Sequence, residues 1–564
     1  KVKQAAPTVK FNTLIEHFYY KEKNEPDKPF LNQPFGDTWE TYSWGEVGQM
    51  VRKLAAGLKS MGLPDKSHIG LVSKNCREWI IADLAIIMAG YVSVPFYPTL
   101  TSDQLREVIE LGDVRALFVG KMEVWEEMQK GVPEGLPIIA FPHYEGNSKV
   151  EQGEQWHDFI NRHQPLEGAP VPDLDDNWTI VFTSGTTGTP KGVVLTYETL
   201  YEVGKINEVF NPLYVSFEGD NHFFSYLPLN HIAERVIVEN GCITYGGQIS
   251  FTESLDRFAA NLAEAQPTVF FGVPRIWTKL QLGILKKMPQ KRLDLLLKIP
   301  ILSGLVKKKI KAGLGFGRCR AFVSGAAPIS ESLKSWFRRL DIPIGEGYGM
   351  TENCAVCTFL LDTDIRPGSV GKAQPGTELR IDEETGEILM KAPYVMKGYY
   401  KAEDKTAEVI QDGWLHTGDQ GHIDEDGYLY ITGRVKDTFK TAKGKYIIPA
   451  PLEWAFEANN DIEQICVAGR GCPQPIALVV LSEVGAAKSK EEVEASLRHS
   501  LKEANESNPN YRKISTVIIT KEPWNDPGPS WKELQPPMQW RIRTLFVTTA
   551  VIASVSAGFI RSDI

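Results

Sequence analysis

The alternation of apolar and polar positions after residue 68 predicts a regular succession of strands and helices. In order, the pattern predicts a strand at 69–72, a helix at 77–89, a strand at 92–94, a helix ending near 111 and a strand at 116–119. Thr101 and Gln104 have the spacing of a capping box at the start of the second helix. Repetition of this unit indicates an α/β domain with a largely parallel sheet.

The length of 564 residues exceeds what one hydrophobic core usually supports, so we expect at least two folding units. Proline and glycine are concentrated at residues 165–172, which predicts a surface connection. The composition changes again after Arg434, where a lysine-rich segment begins. We therefore predict a large domain at 1–434, a small one at 435–524 and a divergent tail at 525–564.

Charge and cysteine content exclude some classes of protein. The formal net charge of -9 argues against a protein that binds nucleic acid through global charge. Seven dispersed cysteines predict reduced, mostly buried thiols in a cytoplasmic protein. Cys354 and Cys357 have the spacing of a redox pair or of half a zinc site, but no second such pair accompanies them.

Residues 285–311 alternate apolar clusters with basic side chains, and Pro289 and Pro300 divide the stretch into short pieces. Two interpretations stay open. The stretch forms either solvated helix faces or a surface in peripheral contact with a membrane.

The segment 180–194 contains three glycines, five hydroxyl side chains and Lys191 between two strand-like apolar runs. Glycines allow close backbone approach, and the amides, hydroxyls and ammonium group suit phosphate oxygens. The segment does not match the Walker pattern, because Val193 and Val194 continue as a strand rather than opening a helix. A phosphate cradle and a ligand-free hairpin turn are both compatible with these residues alone.

Further motifs follow this loop in a fixed order. They are TSGTTGTPKG at 183–192, YLPLNH at 226–231, SGAAP at 324–328, EGYGMTE at 346–352, GWLHTGD at 413–419 and Gly433-Arg434. Over residues 10–524 the chain thereby resembles the adenylate-forming superfamily of acyl-CoA synthetases, luciferases and peptide-synthetase adenylation domains. The resemblance implies a large N-terminal domain of packed α/β subdomains with a small β-barrel-like part, followed by a small mobile α+β domain.

The resemblance also implies a nucleotide site. Tyr348 would stack on adenine, Asp419 would accept hydrogen bonds from the ribose, and Arg434 would lie near the same sugar. The implied nucleotide-binding residues are Thr183, Ser184, Gly185, Thr186, Thr187, Gly188, Lys191, Gly325, Ala326, Ala327, Glu346, Gly347, Tyr348, Gly349, Thr351, Asp419 and Arg434.

The activity that the resemblance implies has two steps and needs no enzyme nucleophile. A substrate carboxylate attacks the α-phosphorus of ATP, and the thiol of coenzyme A then attacks the acyl-adenylate after rotation of the small domain about Lys436. Thr183 and Glu352 would hold Mg²⁺. The implied catalytic residues are Lys191, Thr351, Glu352 and His231.

Each of these residues also has an ordinary structural alternative. Tyr348 and His231 suit a protein core, Thr351 and Glu352 a helix cap, Asp419 a turn, and Arg434 the surface.

The segments 267–277 and 440–449 look like the long-chain fatty acyl-CoA synthetase branch of the superfamily. This likeness implies a long apolar acid as substrate and leaves the acyl length and the oligomeric state open. Phe270, Phe271 and Trp277 suit a substrate tunnel and a protein core equally.

The end of the chain departs from the family's pattern. A Pro-Thr-x-Lys-type segment, whose lysine serves adenylation in the family, is not found after Trp524, and Lys532 has unlike neighbours. We therefore expect impaired adenylation with nucleotide binding retained. The alternatives to a working ligase are a weakened nucleotide- or acyl-binding homologue and an acyl-AMP ligase that loads a carrier protein. An apolar run at about 545–560 is short of the ~20 residues that span a bilayer.

Overall fold

The computed structural model describes residues 11–183, 189–215, 220–456, 459–506, 508–520 and 559–561. Within these ranges the α-helices are α1 Leu14–Asn24, α2 Trp44–Ser60, α3 Arg77–Met88, α4 Ser102–Leu111, α5 Trp125–Met128, α6 Trp156–Asn161, α7 Tyr197–Val209, α8 Ile232–Glu234, α9 Gly241–Tyr245, α10 Phe258–Ala265, α11 Pro274–Lys287, α12 Gln290–Leu297, α13 Pro300–Gly313, α14 Glu331–Arg338, α15 Glu403–Val409, α16 Ala450–Trp454, α17 Glu483–Ala486 and α18 Lys490–Glu506. Short 3-10 turns occupy Gln129–Gly131, Thr351–Asn353 and Val435–Asp437, and a π-helical turn occupies Arg235–Asn240.

The first sheet contains the predicted β-α-β units. Its strands are β3 His68–Val72, β4 Val92–Phe96, β5 Val114–Val119, β6 Ile138–Ala140, β7 Glu154–Gln155, β8 Asn177–Thr183, β9 Lys191–Thr196 and β19 Gly398–Tyr399. They lie in the order β19-β9-β8-β4-β3-β5-β6-β7, and β3 pairs in parallel with β4 and β5. The capping box of Thr101 and Gln104 starts α4, so the sequence prediction for this region is confirmed.

The second sheet has nine strands among the described residues. They are β1 Pro29–Phe35, β2 Thr38–Ser43, β10 His222–Ser225, β11 Gln248–Phe251, β12 Val269–Phe271, β13 Ala321–Ser324, β14 Ile344–Tyr348, β15 Thr358–Leu360 and β16 Lys372–Ala373. Their order is β16-β15-β14-β13-β12-β10-β11-β1-β2, with a parallel centre from β1 through β11 and β10 to β14.

Helix α3 marks the centre of the main core. Every residue of Arg77–Met88 is buried, because the helix is apolar nearly all round and is enclosed by its neighbours. Its side chains belong to a core cluster that includes Leu31 of the second sheet and Ile69 of the first. The two sheets therefore share one hydrophobic core.

Three smaller sheets follow among the described residues. An antiparallel sheet contains β17 Glu378–Ile381, β18 Glu387–Lys391, β20 Ile410–Gln411, β21 Trp414–Ile423 and β22 Leu429–Arg434. A two-stranded sheet contains β23 Phe439–Lys440 and β24 Tyr446–Ile447. The last contains β25 Ile462–Ala468, β26 Ile476–Leu481, β27 Thr516–Thr520 and β28 Phe559–Arg561, and Phe439, Val467 and Leu497 share a separate core under it.

Two further sequence predictions concern local breaks. Residues 165–172 contain no helix or strand, as their proline and glycine content predicts. Pro289 and Pro300 separate α11, α12 and α13, as expected for residues that cannot continue a helix. Among the described residues, no helix combines the length and the apolar character needed to cross a membrane.

Candidate active site

A cavity of about 1390 Å³ collects residues from the large sheets, from the β17–β22 sheet and from α16. All the predicted site residues that the structure describes line it, namely Thr183, Lys191, His231, Gly325, Ala326, Ala327, Glu346, Gly347, Tyr348, Gly349, Thr351, Glu352, Asp419, Arg434 and Lys436. Ser184, Gly185, Thr186, Thr187 and Gly188 lie outside the described residues. Residues from Thr183 to Lys436 thus share one cavity.

The loop with the phosphate-like composition joins two antiparallel strands. Thr183 at the end of β8 pairs with Lys191 at the start of β9. The Lys191 ammonium lies 4.9 Å from the centre of the Tyr399 ring. Burial lowers the pKa of Lys191, and the positive charge of Lys436 lowers it further. A cation beside another cation is stabilised when an anion binds between or beside them.

Strand β14 brings the glycine-rich motif to the cavity wall. Gly349 must be glycine, because a Cβ there would lie 2.3 Å from the backbone of Ala355. The carboxylate of Glu346 forms a buried ion pair with Lys334 at 2.8 Å. Burial raises the pKa of Glu346 although Lys334 opposes the shift. Its other carboxylate oxygen accepts a hydrogen bond of 3.5 Å from the amide of Ile329, so both oxygens have partners within the protein. The role of Glu346 in nucleotide binding stays a prediction.

Asp419 lies on β21 opposite Arg434 on β22. Its Oδ2 accepts a hydrogen bond of 2.7 Å from the Tyr348 hydroxyl, and its Oδ1 lies 3.3 Å from Nε of Arg434. Burial raises the pKa of Asp419, while Arg434 and Tyr348 act in the opposite direction. Tyr348 is buried with its hydroxyl satisfied, and Asp419 is a strand residue rather than the turn residue that its motif alone allows.

Glu352 is held by a residue that the sequence analysis did not identify. Its Oε1 accepts a hydrogen bond of 2.8 Å from the hydroxyl of Tyr399, and its backbone oxygen accepts one of 2.7 Å from the amide of Met396. Thr351 and Glu352 form a 3-10 turn rather than an α-helix cap. No periodicity links Glu352 to Tyr399, because 47 positions separate them.

His231 lines the cavity, whose walls include both polar and apolar residues. Its Nδ1 accepts a hydrogen bond of 3.3 Å from the amide of Ala233, and burial lowers its pKa. The apolar walls come from α7, the π-helical turn and α9. Their side chains at the cavity include Leu200, Val203, Ile206, Val236, Ile237 and Tyr245.

A buried charge cluster anchors the π-helical turn under these walls. Arg235 donates to both oxygens of Asp83 at 2.7 Å and to Oε2 of Glu239 at 3.2 Å, and the three side chains are fully buried. Burial and the neighbouring Asp83 raise the pKa of Glu239 well above its ordinary value. The four-residue spacing of Arg235 and Glu239 was the only sequence signal for this cluster, and none pointed to Asp83.

The aromatic residues of the 267–277 segment divide between two roles. Phe270 and Trp277 are fully buried in a core cluster, whereas Phe271 lines the cavity.

Cys354 and Cys357 are free and fully buried. Within the described part of the chain, no three His, Cys, Asp or Glu side chains form a group that could hold a metal.

Comparison with known proteins identifies the family. Residues 18–400 match the family described as AMP-binding enzyme, and residues 436–530 match the AMP-binding enzyme C-terminal domain. The chain belongs to the AMP-binding enzyme family. Among its relatives, long-chain-fatty-acid–CoA ligase ACSBG2 of Rattus norvegicus is 31% identical over 490 residues, which are 78% of this chain and 72% of that protein. Long-chain-fatty-acid–CoA ligase FadD15 of Mycobacterium bovis is 31% identical over 83% of this chain and 81% of its own length.

Several solved structures share the fold. Anthranilate CoA ligase AuaEII in complex with anthranoyl-AMP gives a TM-score of 0.74 at 19% identity over 97% of this chain and 99% of that chain. ATP-bound MatB from Rhodopseudomonas palustris gives a TM-score of 0.71 at 23% identity over 95% of this chain and 99% of that chain. These likenesses show that the chain shares its mixed α/β architecture with these solved structures.

Proposed function

We propose that this AMP-binding enzyme is a long-chain fatty acid:CoA ligase, which uses ATP to form an acyl-adenylate and pyrophosphate and then transfers the acyl group to coenzyme A. One observation carries the proposal. A single cavity joins polar walls from the predicted nucleotide motifs to apolar walls from α7, the π-helical turn and α9. A carboxylic acid with an apolar tail needs both kinds of wall. Relatives named long-chain-fatty-acid–CoA ligases over most of the chain support the same substrate class.

The polar walls suit the nucleotide half of ATP. In the proposal, Asp419 accepts from the ribose hydroxyls while Tyr348 packs against adenine, and Arg434 favours the ionised form of the Asp419 carboxylate. Lys191 faces the phosphates, where its charge opposes the charge that develops on pyrophosphate. Burial and Lys436 lower the pKa of Lys191, so its charged form is stabilised when an anion binds beside it.

Mg²⁺ fits the donor set at the same wall. Thr183 and Glu352 offer oxygen ligands, which hard cations prefer, and the Tyr399 hydroxyl orients one oxygen of Glu352. Mg²⁺ usually relies on one or two protein carboxylates and on substrate phosphates. When bound there, the ion would neutralise phosphate charge.

The proposed reaction balances in two steps. A carboxylate oxygen of the acid bonds to the α-phosphorus as the bond from that phosphorus to the pyrophosphate oxygen breaks. The thiolate sulfur of coenzyme A then bonds to the acyl carbon as AMP leaves with the carboxyl oxygen. In both steps the protein's contribution is to position the reactants and to stabilise developing charge. His231 lines the same cavity and would border the acid's carboxylate.

The small C-terminal part is proposed to serve the second step. Lys436, the predicted hinge residue, and Glu453 and Trp454 of α16 line the same cavity. Arg275 of α11 forms an ion pair with Glu463 of β25, which links the two parts of the chain outside the cavity. Because the pair is exposed, breaking it costs little free energy. The pair would therefore not prevent the small part from reorienting.

The tail supplies the specific reason to keep a second candidate function. The segment that would hold the family's adenylation lysine, including Lys532, lies outside the described residues, and the sequence there lacks the Pro-Thr-x-Lys pattern. A weakened homologue that still binds ATP is therefore the alternative, and a carrier-protein thiol is the alternative acceptor.

The test is pyrophosphate release from ATP and Mg²⁺ with short, medium and long fatty acids, each with and without coenzyme A. We expect release that requires a long acid, with acyl-CoA formed when the thiol is present, and loss of both in Lys191→Ala. Transfer to a phosphopantetheine carrier but not to coenzyme A would reassign the acceptor. Tight ATP binding without any release would favour the weakened homologue over the ligase.

A further inference from the structure

The helices α12 and α13 present a cluster of apolar side chains to the outside of the molecule. Helix α13, all of which the structure describes, contains no buried residue. Ile301 is 81% exposed, Leu305 61% and Leu295 62%. We call the cluster the α12–α13 patch. It consists of Leu295, Ile299, Ile301, Leu302 and Leu305.

The α12–α13 patch is not ordinary surface scatter. Five of the fourteen large hydrophobic side chains that the described residues expose fall within residues 295–305. The others lie singly along the chain, as Leu255 and Ile365 do. Isolated exposed leucines need no explanation, but a contiguous apolar patch marks a surface that meets an apolar partner.

Two distinct faces of α13 separate the patch from the core. At 100° per residue, Ile301, Leu302 and Leu305 share one side of the helix with Lys308 and Lys309. The opposite side carries Val306 and Ile310, which pack against the core cluster of Trp277 and Phe337. On α12, Leu293 is buried in the same cluster. The inner faces hold the helices in place and leave the outer apolar side chains without a role in folding.

The charge around the patch is predominantly positive. Residues 286–311 contain nine basic side chains and one acidic one, in a chain whose net charge is -9. The acidic residue, Asp294, already forms an ion pair with Arg339, and Lys307 pairs with Asp341. Lys298, Lys308 and Lys309 are exposed beside the apolar side chains. Apolar groups bordered by lysines are complementary to a surface with anionic groups above a hydrocarbon layer.

We propose that the α12–α13 patch binds the surface of an anionic lipid bilayer, with Ile301 and Leu305 entering the acyl boundary and Lys308 and Lys309 contacting phosphate headgroups. The long stems of the lysines lie along apolar surface while their ammonium groups stay in the headgroup layer. The contact is peripheral. It goes beyond the proposed ligase activity and does not depend on it, since it uses no residue of the cavity.

Flotation of the full chain with vesicles tests the proposal, without ATP or fatty acid present. We expect binding to vesicles of phosphatidylcholine with phosphatidylglycerol, little binding to phosphatidylcholine alone, and release by salt. Ile301→Ser with Leu305→Ser should weaken the partition coefficient by about tenfold or more, because both side chains lose apolar contact area. Lys308→Glu with Lys309→Glu should weaken it by roughly tenfold on the anionic vesicles.

Matched variants control for general surface changes. Ile365→Ser with Leu255→Ser removes the same two exposed residue types elsewhere, and Lys490→Glu with Lys502→Glu reverses two exposed lysines of α18. Both controls should bind vesicles like the unmodified chain. Equal binding by the patch variants, or no binding by the unmodified chain, overturns the proposal. If the unmodified chain does not bind vesicles and the patch variants change the oligomeric state, the patch is instead a contact between copies of the chain.

Discussion

The hydroxyl of Tyr348 donates a hydrogen bond of 2.7 Å to Asp419, a residue 71 positions further along the chain. The bond connects the end of β14 in the second large sheet to β21 in the small antiparallel sheet. The two residues that the family motifs assign to adenine and ribose are thereby held at a fixed separation before any nucleotide binds. Preorganised partners lose little conformational freedom on binding.

Replacing Asp419 should impair the use of ATP. We expect Asp419→Ala to lower kcat/KM for ATP by about 10- to 100-fold, as for the loss of hydrogen bonds to a charged group. Tyr348→Phe keeps the aromatic ring and should lower kcat/KM for ATP by a smaller factor. Asp426→Ala is the control, because Asp426 lies exposed in the turn between β21 and β22. Unchanged ATP kinetics in Asp419→Ala would contradict the assigned ribose contact.

The pH dependence of pyrophosphate release should report on Lys191. Its pKa is lowered by burial and by Lys436 and Lys405, so as the pH rises Lys191 loses its proton earlier than an ordinary lysine. Activity that needs the charged form should fall on the basic side. In Lys405→Gln one repelling charge is gone, the pKa of Lys191 rises, and the basic limb should move to higher pH. The exposed Lys59→Gln should leave the profile in place, and an unmoved limb in Lys405→Gln would count against the prediction.

The cluster of Asp83, Arg235 and Glu239 should be sensitive to the loss of one member. Arg235→Leu leaves the Asp83 carboxylate buried without its cation, which should cost about 3–5 kcal/mol of stability. The double variant Asp83→Leu with Arg235→Leu should lose less stability than Arg235→Leu, because it also removes the buried carboxylate that would otherwise have no cation. Calorimetric unfolding measures both. Arg257→Leu, which breaks a more exposed pair with Asp37, should cost at most about 1 kcal/mol.

Stability should fall as the pH drops from about 6.5 towards 4, partly because of His222. Burial lowers its pKa from 6.5 to about 4, so the folded state keeps it neutral while the unfolded chain takes up a proton. The stability that the neutral ring contributes is complete above 6.5 and declines by roughly 3 kcal/mol by pH 4. The slope of melting temperature against pH should be shallower in His222→Gln. The exposed His157→Gln serves as the control, and equal slopes in all three proteins would refute the assignment.

Local patterns along the chain predicted much of the first sheet. The β-α-β units, the capping box of α4 and the two proline breaks depend on neighbouring residues, and the structure confirms them. The motifs also predicted a set of residues that do line one cavity. The predicted domain boundary at residue 434 and the functions of the individual site residues stay predictions.

Contacts between distant residues could not be predicted in the same way. Tyr399 holds Glu352, Lys334 neutralises Glu346, and Asp83 pairs with Arg235, and no spacing in the sequence links any of these partners. The sequence also left Phe270 and Phe271 indistinguishable, although only Phe271 reaches the cavity. Which side of α13 faces outward depended likewise on the core to which Val306 and Ile310 pack.

The sequence by itself determined the β-α-β succession, the two proline breaks and the chemistry available to the loop at 183–192, because these follow from each residue and its near neighbours. The tertiary structure decided which carboxylates are paired, which apolar side chains form core, cavity wall or exposed patch, and which motifs meet. These outcomes depend on how sheets and helices pack, and packing brings together residues whose separation along the chain carries no information about their contact.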